Sequence, residues 1–221
     1  MGKILVVDIG GTHVKLKLQG QEEIRKFPSG PDLTPQETIA KVMELKGDWK
    51  VGRVTVGYPG PIVQGKVHLE PANLGRGWVD FDFETALKLP FKLINDAAMQ
   101  ALGGYQGGRM LFLGLGTGLG TTFIYNGAIS PMELGHLPYR KKLTFEEWLG
   151  AAGLERLGKN RWQKAVFDVA SKLRGAFIAD YVVLGGGNAK KLEDVPEEFQ
   201  IGDNKNAFIG GERLWEGNHR L

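Results

Sequence analysis

The 221-residue chain has no cysteine, which excludes disulfide scaffolds, thiol nucleophiles and every zinc site built on thiolates. Its four histidines, His13, His68, His136 and His219, show no paired spacing, so no structural metal is expected. Long apolar runs are missing too: Ile4 to Val7 and Met110 to Leu115 fall far short of the roughly 20 residues of a membrane helix. The apolar start, interrupted at Asp8, is too short for a signal peptide, so a cytoplasmic chain without membrane contact is expected. A large charge excess is also absent. The net +3, with Lys and Arg spread along the chain, leaves no electrostatic footprint for nucleic acid. The one local cluster, Arg140-Lys141-Lys142, reads as a solvated loop or as a docking point for a polyanion.

What the sequence has in excess is glycine, 33 residues, or about 15% against roughly 7% in ordinary proteins. The glycines cluster as GG, GTGLG and GGG. Such clusters mark positive-φ backbone or close approach to another group, a phosphate among them. An apolar content of 42% with 24% charge is otherwise that of a globular chain able to bury a full core.

Lys3 to Asp8 reads as a buried strand ending at Asp8-Ile9-Gly10-Gly11-Thr12, and Val14, Leu16 and Leu18 then alternate with polar residues, so the pair forms a hairpin. Glu23 to Phe27 adds a third antiparallel strand. Thr34-Pro35-Gln36-Glu37 joins a capping box to an N-terminal proline and predicts a helix up to Gly47. Val51 to Val56 and Phe91 to Ile94 read as strands, the second running through Asn95-Asp96 into a helix that stops at Gly103-Gly104. Met110 to Leu115 and Thr121 to Tyr125 flank a second glycine turn about 108 residues after the first, which suggests two related lobes. The last third reads as helical from Phe145 through Phe177, followed by a strand from Tyr181 to Leu184 and Gly185-Gly186-Gly187.

With these pieces placed, the sequence resembles the sugar kinases of the actin-like ATPase superfold (ribonuclease H-like), and among them the ROK family. The resemblance rests on Asp8-Ile9-Gly10-Gly11-Thr12 with Lys15, Gly57-Tyr58-Pro59-Gly60, Pro71-Ala72-Asn73-Leu74 with Trp78, Asn95-Asp96-Ala97, Gly114 to Gly120, Glu133-Leu134-Gly135-His136 and Gly185-Gly186-Gly187. It implies an α/β, two-lobed fold with mixed sheets and an interlobe cleft. Residues 1–95 would form a small N-terminal lobe, 96–205 a larger one, and a segment of about 206–221 would return to the first. The implied activity is phosphoryl transfer from ATP or polyphosphate to the 6-hydroxyl of a hexose, glucose foremost, with Mg²⁺ and a homodimeric assembly. Other hexoses, N-acetylhexosamines or a non-catalytic sugar sensor remain alternatives. Two departures stand out: the cysteine cluster that binds zinc after the Glu-x-Gly-His motif is missing, so no zinc is expected, and the chain opens at its first strand, which disfavours the DNA-binding branch.

The chemistry gives these residues plausible work. A hexose hydroxyl needs a carboxylate to take its proton, and the resemblance assigns that to Asp96, where the helix dipole is expected to favour the ionised form; by spacing alone Asp96 reads better as a helix N-cap without catalysis. Gly10, Gly11 and Thr12 on one side and Gly116, Thr117 and Gly118 on the other could supply backbone N–H groups to phosphate, or simply make tight turns. Asp8 would hold Mg²⁺ through water or cap its own turn, and Lys15 would meet donor phosphate or face solvent. Gly185, Gly186 and Gly187 fall on the adenosine side of the resemblance. Asn73, Asn95, Glu133 and His136 suit sugar hydroxyls. Glu147 has a structural reason in the Thr144 capping box, whereas Glu146 has none in the sequence and falls where the family places a second sugar-binding glutamate.

Overall fold

Two five-stranded mixed sheets with the same internal order form the frame of this computed structural model, which describes residues 2–217, 219 and 220. The first sheet and its helices comprise β1 (Lys3–Ile9), β2 (His13–Leu18), β3 (Ile24–Pro28), α1 (Pro35–Lys46), β4 (Val51–Tyr58), the small ribbon β5 (Ile62–Val63) and β6 (Lys66–Val67), α2 (Phe83–Leu87) and β7 (Phe91–Asn95). After α3 (Asp96–Gly104) come β8 (Arg109–Leu115), β9 (Leu119–Tyr125), β10 (Ala128–Met132), α4 (Phe145–Leu149), α5 (Ala151–Leu157), α6 (Lys159–Phe177), β11 (Tyr181–Gly185), β12 (Phe199–Ile201) and α7 (Asn206–Arg213). The orders are β3-β2-β1-β4-β7 and β10-β9-β8-β11-β12. In each, an antiparallel three-strand meander is extended by two parallel strands. The duplication expected from the two glycine turns is therefore a duplication of topology.

Both sheets bury both faces, which explains why β1 and β8 read as continuous apolar runs. Successive side chains point to opposite faces: Leu5, Val7 and Ile9 enter a core with α1 and Trp78, while Ile4 and Val6 enter a central core between the sheets. In β8, Leu111, Leu113 and Leu115 pack under α6, and Met110 and Phe112 join the central core. The α6 stripe of Trp162, Ala165, Val166, Val169, Ala170 and Leu173 recurs at helical spacing and is fully covered. The capping box at Thr34 and Glu37 starts α1 as the sequence predicts.

α3 fills the centre, and α7 lies along it so closely that glycines are required at the crossing. An added β-carbon on Gly210 would fall on the Met99 carbonyl, and one on Gly103 would fall on the Asn206 carbonyl. Arg213 Nη1 donates to the carbonyls of Leu102, Gly103 and Tyr105, each at 3.1 Å, and so caps the end of α3 with a cation. Beyond α7 the chain is fastened to the first sheet. Thr55 Oγ1 donates to Gly211 O at 2.7 Å and receives Trp215 Nε1 at 2.8 Å, and Lys92 Nζ donates to Leu214 O at 2.8 Å. Of the returning segment foreseen at 206–221, Asn218 and Leu221 lie outside the described residues, as does Met1 of the first lobe. The sequence reading missed β10 and β12, short strands whose residues are half exposed and lack clear alternation.

Candidate functional site

The strand ends of both sheets converge on one region. In β1, Asp8 pairs in register with Gly57 of β4, whose successor Tyr58 pairs with Asn95 of β7. Asn95 is the N-cap of α3: its Oδ1 accepts the Ala98 N–H at 3.0 Å, and its Nδ2 donates to Gly60 O at 3.1 Å. The capping role open to Asp96 therefore belongs to its neighbour, and one N–H of the Asn95 amide is left for any other partner. Asp96 stands in the first helical position, accepting the Ala97 N–H at 2.7 Å.

The environment of Asp96 reverses one expectation. Its carboxyl is pushed up to about 7, chiefly by burial and next by the charge of Asp8, with a smaller push from Glu133, while the bond from Ala97 pulls down. Desolvation and the Asp8 charge thus outweigh the backbone N–H groups at the start of the helix. The Asp8 carboxyl is itself raised by burial, although Lys15, its cross-strand partner, stands 3.7 Å away and pulls it down.

The two glycine turns meet. A β-carbon placed on Gly11 would stand 3.6 Å from Thr117 Oγ1 and 3.9 Å from Asn73 Cβ and Nδ2. One on Gly120 would meet Ala97 Cβ at 2.5 Å, so the second turn leads onto the helix that carries Asp96. Within the turns the donors divide. The Gly10 N–H is taken by His13 O at 3.0 Å and the Gly116 N–H by Gly114 O and Gly118 O at 3.1 and 3.2 Å. The N–H groups of Gly11, Thr12, Thr117 and Gly118 make no hydrogen bond among the described residues, which narrows the donor set to these four.

The third glycine run braces the second. Gly186, at φ +81°, lies on the Leu115 backbone, and Asn188 donates its N–H to Leu115 O at 2.9 Å and its Nδ2 to Gly116 O at 3.1 Å. Gly185 is buried in β11 against the Phe112 ring, so packing is its evident reason, and only Gly187 is exposed. Beside this loop a cavity of about 350 Å³ is lined by Gly186, Lys190, Ile201, Gly202, Asp203 and Asn204.

Glu133, His136 and Glu146 lie together on the other flank. The Glu133 carboxyl is held above its ordinary value by desolvation, with His136 pulling down and Glu146 pushing up. Buried Thr121 fixes this stretch by donating to Met132 O at 2.6 Å and accepting the Leu134 N–H at 3.2 Å. Glu146 does have a structural partner, contrary to the sequence reading: its Oε2 accepts the Leu119 N–H at 3.1 Å and rests on Gly118.

Three contributors escaped the sequence reading. Thr121 and Asn188 are two, and the third is Glu70, whose carboxylate gathers the N–H groups of Gly77, Trp78 and Val79 at 3.1 to 3.3 Å and closes the loop bearing Asn73. Burial alone would raise the Glu70 carboxyl, but these bonds outweigh it and hold it low. An acid at the root of a glycine-rich loop and an asparagine directly after three glycines were the available signals.

Comparison with known proteins agrees with this geometry. Residues 4–146 match the ROK family. The polyphosphate glucokinase of Mycobacterium tuberculosis strain H37Ra is 28% identical over 211 residues, covering 85% of this chain and 78% of that protein. The crystal structure of the inorganic polyphosphate/ATP-glucomannokinase from Arthrobacter sp. strain KM superposes with a TM-score of 0.82 at 25% identity, over 99% of this chain and 100% of that one. A ROK family glucokinase from Streptomyces griseus, solved with glucose and AMPPNP, shares the fold with a TM-score of 0.75 at 17% identity, over 96% and 99% of the two chains. No helix among the described residues is long and apolar enough to cross a membrane. With the match spanning well over half its length, the chain belongs to the ROK family, in the company of that family's sugar kinases.

Proposed function

We propose that this protein is a hexose kinase that transfers a phosphoryl group from ATP or polyphosphate to the 6-hydroxyl of glucose. The observation that carries the reading is the Asp96 carboxyl, pushed up to about 7 beside the second of two glycine turns that meet. A carboxyl at that value matches a general base working near neutral pH. Asp96 takes the hydroxyl proton as the sugar oxygen bonds to phosphorus and the bond from phosphorus to the donor oxygen breaks. The N–H groups of Gly11, Thr12, Thr117 and Gly118 receive the charge spread over the transferring oxygens. Asn73, Asn95, Glu133, His136 and Glu146 hold the sugar, and the lobes 1–95 and 96–205 close around it. A homodimer and a cytoplasmic setting belong to the same reading.

The charge of Asp8 facing Asp96 fits a divalent cation, which would relieve their repulsion. Such a cation would be Mg²⁺, which is commonly held by one or two carboxylates and shared with donor phosphates. Asp8 would hold it, and when bound it would neutralise phosphate charge. Lys15, 3.7 Å from Asp8, would meet the same phosphates.

The cavity beside Gly186 bears on the donor. Ile201 gives it an aliphatic wall and Asp203 a carboxylate able to accept from ribose hydroxyls, a lining that suits a nucleoside, while Lys190 beside them suits a phosphate chain; ATP fits this lining and the named relatives keep polyphosphate in view. A panel of glucose, mannose, fructose, allose and N-acetylated hexosamines against ATP and polyphosphate, read by donor consumption, tests the proposal. We expect sugar-dependent turnover, greatest with glucose. Sugar binding without turnover on either donor would replace the kinase with a sugar-responsive regulator.

A further inference from the structure

The hairpin between His136 and Glu146 is built in a way its own sequence does not favour. Phe145 N–H donates to Leu137 O at 2.9 Å, Tyr139 N–H to Leu143 O at 2.8 Å and Leu143 N–H to Arg140 O at 3.0 Å. Its two tip residues, Lys141 and Lys142, both have positive φ, 53° and 62°. That is the left-handed pair of a two-residue hairpin turn, a geometry suited to Asn-Gly and costly for lysines. Something outside the turn has to hold it.

The holder is Asp168 on α6. Its Oδ2 accepts the Tyr139 hydroxyl at 2.5 Å and Arg140 Nη2 at 3.1 Å, and it also pairs with Lys172 one helical turn on. Tyr139 is boxed in by Phe145 at 5.4 Å and by Trp148, edge-on, at 5.3 Å, with Arg140 4.7 Å and Lys172 5.5 Å from its ring centre. Trp148 Nε1 donates to Arg140 O at 3.1 Å. One carboxylate therefore fastens the turn end of the hairpin, through Tyr139 and Arg140, to a 19-residue helix.

We infer that Asp168 and Tyr139 are positioning residues for sugar binding, fixing the hairpin whose two ends are His136 and Glu146. The Phe145 to Leu137 bond draws those ends together, so the tilt of the hairpin against α6 bears on where the His136 imidazole stands, opposite a Glu146 carboxylate that the Leu119 N–H holds. In a chain without cysteine this ionic and aromatic hub is what holds the loop.

The inference rests on the sugar-kinase reading for its substrate, and the test separates the two. Asp168→Asn keeps the shape and removes the charge that Arg140 and Lys172 share, and Tyr139→Phe keeps the ring and removes the hydroxyl bond. Each is expected to raise the KM for glucose roughly tenfold, the worth of about one charge-assisted hydrogen bond, with kcat within about twofold and donor KM unchanged. Asp168→Glu should recover part of the loss. The same variants are expected to shift the His136 imidazole resonance in the sugar-free protein, a readout that needs no turnover. A lowered melting temperature with sugar KM and the His136 resonance both unmoved would reduce the hub to a structural brace and overturn the inference. If the wild-type chain phosphorylates no sugar, the kinase reading fails, and the His136 resonance still decides whether Asp168 positions it.

Discussion

Asp96→Asn is expected to lower kcat by about 10² to 10⁴-fold, the usual loss when a general base is removed, and at the same time to make the protein more stable. The two effects share one cause. The Asp96 carboxyl is raised to about 7 in the folded chain against 3.8 in the unfolded one, mainly by burial and then by Asp8. Between those values the folded chain binds a proton that the unfolded chain has released, so stability falls as pH rises through that window. Above about pH 7 the charged, part-buried carboxylate carries its whole cost. Asparagine removes that charge and can still accept the Ala97 N–H. At roughly 1.4 kcal/mol per pH unit, discounted for partial solvent access, the gain should be on the order of 2 kcal/mol at pH 8 and vanish below about pH 4. Thermal melts at the two pH values check it. In the wild type, kcat/KM for sugar should rise about tenfold per unit below pH 7 and level off above it. A flat profile from pH 5.5 to 8.5, or an asparagine variant keeping a tenth of the activity, would remove Asp96 from the chemistry.

Gly210→Ala is expected to destabilise the protein by about 1–3 kcal/mol, the usual cost of an overpacked core. In an isolated helix the same change would help by up to about 1 kcal/mol, so the sign depends on the neighbour. At Gly210 the new methyl would fall on the Met99 carbonyl, a backbone atom that cannot swing aside as a side chain does. Gly175→Ala in α6, with nothing within 4 Å of the added carbon, is the control and should stabilise. Urea titration of the two variants reads the contrast directly. Equal midpoints would mean that α7 moves off α3 at little cost. Because α3 begins with Asp96, the alanine variant should also lose activity in conditions where it remains folded.

Much of this arrangement could be read from residue order. The capping box at Thr34, the alternation after Gly11 and the apolar runs of β1 and β8 each follow from local chemistry, and two glycine turns pointed to the duplicated topology. What could not be read were interactions closed over distance. Asp96 looked ionised because only its own helix was visible; burial in the folded chain, and next the charge of Asp8 about ninety positions earlier, push the other way. Glu146 looked free of any structural partner because that partner, the Leu119 N–H, is 27 positions away. Glycine spacing is also ambiguous on its own. In Gly185-Gly186-Gly187 the first serves Phe112 and the second Leu115, and the spacing alone does not separate a ligand-facing glycine from one that makes room for a ring or a carbonyl.

The fastening of Gly211 and Trp215 onto Thr55 spans 156 and 160 positions. The inner face of the first sheet, where Val6 and Thr55 lie, therefore lacks its α7 cover while the ribosome makes everything between, and Val6 gains Gly211 against it only at the end. The N-terminal third should form early yet remain sticky and protease-sensitive, and the molecule should acquire its full resistance in a single late event, when the α7 stretch emerges and docks.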